Sequence, residues 1–140
     1  MQHIVVGVDG STPSRRALRW AVDHARTCGA AVEVVHAWTA PEVGGDRLAQ
    51  ALSSPAELEH EARRELDDVL AGVDESGLAD RLTSLLAHGE AAAALLDAGD
   101  TADLVVVGTR GLSGRTDGDA GSVCTQLIRH ARCPVVVVPD

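Results

Sequence analysis

A chain of 140 residues with a 45% apolar fraction is long enough to bury one sizeable core. Its formal charge of −9 argues against general nucleic-acid binding, which needs cations to neutralise phosphates, and against anionic membrane surfaces. Phe, Tyr and Lys are absent, so Val, Leu, Ala and Ile must build the core, and Arg supplies the permanent side-chain cations.

Cys28, Cys124 and Cys133 form no CxxC pair, and Met1-Gln2-His3 leads directly into an apolar run. The expectation is a reducing cytoplasm, with no disulfide framework, signal peptide or membrane-spanning segment.

Residues 3–9 read as a buried strand ending at Asp9, and Gly10 and Ser11 turn the chain. Thr12 is the expected N-cap of a first helix, with Pro13 at its first position. Ala17, Leu18, Ala21, Val22 and Ala25 recur at helical spacing, and Gly29 is the expected stop. Ala31 to Trp38 forms a second strand, and Thr39 to Ser54, with Pro41, Gly44 and Gly45, reads as a loop.

Ser54-Pro55-Ala56-Glu57 is a capping box opening a helix with Leu58, Ala62, Leu66, Val69 and Leu70 on one stripe. Its acidic faces read as a solubility surface. Arg81 to Ala87 is a weaker strand, and Glu90 to Ala98 a short helix ended by Gly99. Leu104 to Val107 is a continuous apolar run that stops at Gly108. A glycine-rich stretch follows, and then a helix from Ser122 to about Ala131, with Val123, Leu127, Ile128 and Ala131 facing inward. Val135 to Val138 is the last strand.

Val-rich strands alternating with amphipathic helices imply an α/β protein: a three-layer α/β/α sandwich around a five-stranded parallel sheet. The expectation is a single domain over residues 1–140. In a 3-2-1-4-5 strand order the reversal lies between the first and fourth strands, and ligands bind beyond the carboxyl ends of the strands there. Asp9 and Gly108 would flank that crevice. A strand feeding a glycine-rich turn into a helix N-terminus suits a phosphate, because N–H groups and the helix dipole converge on it.

Gly108-Thr109-Arg110-Gly111, nine residues, and then Gly121-Ser122 match the G-x-x-G-(nine)-G-[ST] signature of the ATP-binding universal stress proteins. The resemblance covers essentially the whole chain, including Ile4 to Ser11, Val35-His36-Ala37 and Cys133 to Val138. It implies the adenine nucleotide alpha hydrolase-like form of the sandwich. Asp9 and Val8 would sit by adenine and ribose, and the backbone at Ala37 would meet the adenine edge. Gly108, Arg110, Gly111, Gly121, Ser122 and Val123 would surround ribose and phosphates. It also implies a homodimer through Val135 to Val138. A Walker A loop is excluded, because it needs a Lys.

This chain departs from the family pattern at Cys124, where a second hydroxyl is usual, and at Asp117 and Asp119, which would repel a triphosphate unless Mg²⁺ intervenes or they point away. Arg110 and Arg115 offset part of that repulsion. Asp9 could instead serve only as a turn cap. Cys124 is read as a packed replacement for Ser, with a thiolate redox sensor as the less favoured alternative. His36 and His88 read as satisfied structural residues. Arg15, Arg16 and Arg19 are a solvated face or a lure for anions.

No nucleophile–base pair or metal cluster is legible. The reading is therefore a cytoplasmic, ATP-binding, dimeric stress-response module. Its alternatives are the same fold acting without ATP through dimerisation or partner contacts, and a slow ATPase.

Overall fold

The computed structural model describes residues 2–39, 54–109 and 123–139. Among them are five strands, β1 (His3–Val8), β2 (Ala31–Trp38), β3 (Leu82–His88), β4 (Leu104–Gly108) and β5 (Val135–Val138). The α-helices among the described residues are α1 (Thr12–Cys28), α2 (Pro55–Ala71), α3 (Ala91–Gly99) and α4 (Val123–His130). All strand pairings are parallel, in the order β3-β2-β1-β4-β5. The expected sandwich and strand order are therefore present.

Period-two alternation divides the core between the two sheet faces. Ile4, Val6 and Val8 point with Val32, Val34 and Val106 toward Ala17, Leu18 and Val22 of α1 and Leu66 and Val69 of α2. Val5, Val35, Val105 and Val107 point the other way, onto Ala92 and Leu95 of α3 and Val123 and Leu127 of α4. Branched aliphatic residues buried on both faces are what a covered parallel sheet requires.

Local signals hold at several ends. Gly29 closes α1 with φ 75°, and its N–H bonds to the Ala25 carbonyl. Ser54 caps α2 by accepting from the Glu57 N–H at 3.2 Å. Elsewhere the boundaries shift. The cap of α1 is Ser11, not Thr12, because Ser11 has extended backbone and its Oγ accepts from the Ser14 N–H. Arg81 precedes β3 in a short 3₁₀ turn, where its guanidinium donates to the carbonyls of Leu78, Ala30 and Gly77.

Ile128 does not face inward; it is 67% exposed. The buried stripe of α4 is Val123 and Leu127, with Cys124 packed alongside. At 100° per residue, Ile128 turns off that line. No helix among the described residues is long and apolar enough to cross a membrane.

Candidate functional site at the strand-order reversal

The centre of the sheet is the β1–β4 pair, with Ile4, Val5 and Val6 opposite Leu104, Val105 and Val106. The turn from β1 into α1 stands at its carboxyl end, and hydrogen bonds fix that turn peptide by peptide. The Val8 carbonyl meets Nδ1 of His36 at 2.9 Å, while the Asp9 N–H donates to Ser14 Oγ at 3.2 Å. The Val8–Asp9 peptide is thus held at both polar atoms. Ser14 is fully buried and His36 is 6% exposed, so both anchors are shielded from water.

Gly10, at φ 87°, bends the chain where a side chain would be strained. Its carbonyl accepts from Arg15 Nε at 3.1 Å, and the following Ser11 N–H donates to Asp9 Oδ1 at 2.9 Å. This second peptide is also held at both ends. Ser14 Oγ completes the turn by donating to the Ser11 carbonyl at 3.0 Å. Buried main-chain polar groups demand such partners, and the local sequence supplies them.

Asp9 is therefore a turn cap, but with only one of its two oxygens. Among the described residues, Oδ2 has no hydrogen-bond partner. A half-buried carboxylate oxygen at the mouth of the reversal can accept a hydroxyl or amine hydrogen.

The opposite wall begins at Gly108, the last residue of β4. A Cβ built there would lie 2.9 Å from the Pro13 carbonyl oxygen and 3.0 Å from its carbon. The first turn of α1 thus lies directly against the end of β4, which only glycine permits. Val123 opens α4 and is buried. Cys124 follows it, and its thiol donates to the Gly108 carbonyl at 3.1 Å. Burial pushes that thiol upward, away from thiolate. Desolvation outweighs the helix N-terminus, so the thiol behaves as a packed donor and the redox-sensor alternative loses its basis.

Of the expected site residues, Asp9 and Gly108 flank the reversal as anticipated. Val8 belongs to the core facing α1 and α2, and is 2% exposed. Ala37 is half-buried near the end of β2, one position beyond the Val8–His36 register pair. Beside it, Trp38 stacks on His88 with ring centroids 4.5 Å apart. Arg110, Gly111, Gly121 and Ser122, like Arg115, Asp117 and Asp119, lie outside the described residues.

Two parts of the site escaped sequence reading. Ser14 left a faint signal, a second serine one helical turn after Ser11. His36 was expected to be satisfied, and it is, but its partners span from β1 to α2: its Nε2 lies 3.0 Å from Glu65 Oε2. Arg15 is likewise committed, to Gly10 and to Asp68 at 2.9 Å, and is not a free lure for anions. The groove it borders between α1 and α2 also holds Arg26, which is paired with Asp23 and Asp74. Glu65 and Asp68 thus anchor the turn, and the acidic face of α2 is more than a solvated surface.

Parallel α/β sandwiches as a class bind small ligands beyond the strand ends, at the strand-order reversal where this chain places its pinned carboxylate turn. A family model described as the universal stress protein family matches residues 1–139, and the chain belongs to that family. A universal stress protein of Mycobacterium tuberculosis is 36% identical over 146 residues, covering 98% of this chain and 47% of that protein. The chain thus spans about half the length of its mycobacterial relatives. A universal stress protein solved in complex with cAMP has a TM-score of 0.68 at 27% identity, covering 99% of this chain and 96% of that one. The Archaeoglobus fulgidus universal stress protein in complex with dAMP has a TM-score of 0.57 at 26% identity, covering 99% and 98%.

Proposed function

We propose that this protein binds ATP or a related adenine nucleotide at the β1–β4 reversal, and acts in the cytoplasm as a nucleotide-dependent stress-response module. The observation that carries this reading is the Asp9 turn, whose peptides are held at both ends while, among the described residues, one carboxylate oxygen has no hydrogen-bond partner. The cAMP and dAMP complexes of relatives above 25% identity support the choice of adenine. In this reading Asp9 and the Ala37 backbone receive adenine and ribose, with Val8 behind them in the wall. Gly108, Arg110, Gly111, Gly121, Ser122 and Val123 receive ribose and phosphates. Mg²⁺ accompanies a triphosphate, offsetting Asp117 and Asp119. The role is binding and signalling rather than turnover.

Thermal unfolding tests the reading. A ligand at about 100 times its dissociation constant stabilises by about 2.7 kcal/mol, which raises Tm by roughly 8–12 °C in a chain of this size. ATP at millimolar concentration, with Mg²⁺, should produce such a rise, and AMP and cAMP rank the alternatives. No rise with any of them overturns adenine-nucleotide binding. A second reading, the same fold without ATP, draws on Cys124, whose thiol is spent on the Gly108 carbonyl. A flat thermal response is its expected outcome.

The proposal includes a homodimer through β5. Val135 to Val138 are all half-buried, and β5 is an outer strand of the sheet. An apolar outer strand needs a cover, and a second copy provides one. Sedimentation equilibrium should give twice the 14.5 kDa of one chain. A single-chain mass at micromolar concentration would overturn the dimer.

A further inference from the structure

We infer that Glu65, on a helix outside the crevice, is a positioning residue for it, acting through His36 on the Val8–Asp9 peptide. The Val8 carbonyl can only accept, and so can an ionised carboxylate, yet His36 contacts both, Nδ1 to Val8 at 2.9 Å and Nε2 to Glu65 at 3.0 Å. Nδ1–H satisfies the carbonyl while the Nε2 contact with Glu65 fixes the plane of the ring, so His36 bridges a main-chain carbonyl and a carboxylate. Removing Glu65 leaves Nε2 without its partner and frees the ring to rotate. The carbonyl next to Asp9 then loses its fixed partner.

The bridge sits where it matters. The His36 side chain is 7% exposed and Glu65 47%, so the contact is shielded on one side and reachable on the other. Asp68, one turn along α2, reaches the Gly10 carbonyl of the same turn through Arg15, but Asp68 is 77% exposed, so that ion pair is solvent-screened and contributes less. The two carboxylates brace successive parts of the turn that carries Asp9. Any rotation or fraying of α2 therefore changes where the Asp9 carboxylate points. The affinity arm of the test rests on the nucleotide reading above; the other arms do not.

The experiment uses the full chain, labelled with ¹⁵N, and compares wild type with Glu65→Ala and Glu65→Gln. The wild-type His36 ring should show one fixed orientation, with Nδ1 on the Val8 carbonyl, and Glu65→Ala should release it. Amide exchange at Asp9 and Ser11 should quicken by about tenfold in Glu65→Ala, the worth of one hydrogen bond to a charged group. ATP affinity should fall by a similar factor. Glu65→Gln should restore both, because its amide can accept from the ring or donate to it. Ala is the best helix former, so α2 should persist. Unchanged ring orientation and exchange in Glu65→Ala would overturn the inference, and so would a loss of protection that Gln fails to rescue. If wild type binds no nucleotide, the nucleotide reading fails while ring orientation and exchange still decide the role of Glu65.

Discussion

Gly108→Val should lose about 1–3 kcal/mol of stability and, with it, all response to nucleotide. The first added carbon would sit 2.9 Å from the Pro13 carbonyl oxygen, and neither partner can yield cheaply. Pro13 lies in the first turn of α1, anchored by the Ser11 cap, and Gly108 is buried between β1 and β5. The strain must therefore part the two walls of the reversal. At the usual entropy of unfolding, Tm should fall by roughly 4–12 °C. Scanning calorimetry with and without ATP reads both effects. A variant that melts like wild type would mean that β4 and α1 do not meet as described.

Ser14→Ala should be the second large loss, about 1–3 kcal/mol, from a change of one oxygen atom. The hydroxyl has no exposed surface, accepts from the Asp9 N–H and donates to the Ser11 carbonyl. Its removal leaves that N–H without its partner beneath the turn, and leaving a buried donor unsatisfied costs more than the bond itself contributes. Apolar packing is hardly altered, which separates this loss from a cavity effect. Urea unfolding should show a lower midpoint with an unchanged slope. An unaltered midpoint would show that the turn holds without the hydroxyl.

The contrast between these two positions explains what could be read from the chain alone. The order of strands and helices follows from local periodicity, and the place of the crevice follows from topology, so Asp9 and Gly108 were both legible. The Pro13–Gly108 approach was not, because nothing in a strand's own pattern tells which helix turn will press on its end. The His36–Glu65 contact joins positions 29 apart on different kinds of element, and no spacing rule connects them. Ile128 illustrates a smaller failure. An apolar residue next to an inward-facing one reads as part of the same face, although a helix turns too far in one step. Cys124 shows competing effects: the helix end argues for thiolate, burial argues against it, and only the structure gives the burial.

The pairing of β1 with β4 also bears on the order of events in folding. His3 and Asp103, 100 positions apart in the chain, exchange two hydrogen bonds, the N–H of each meeting an oxygen of the other. Closing so long a loop is entropically expensive, and contacts of this separation form late. The Asp9 turn and its brace on α2 need nothing beyond Ala71, so one wall can be organised while the second half of the chain is still being made. The other wall arrives only with β4. A growing chain would then hold a finished carboxylate turn facing open solvent, and competence to bind would appear in one step as the last third of the protein docks.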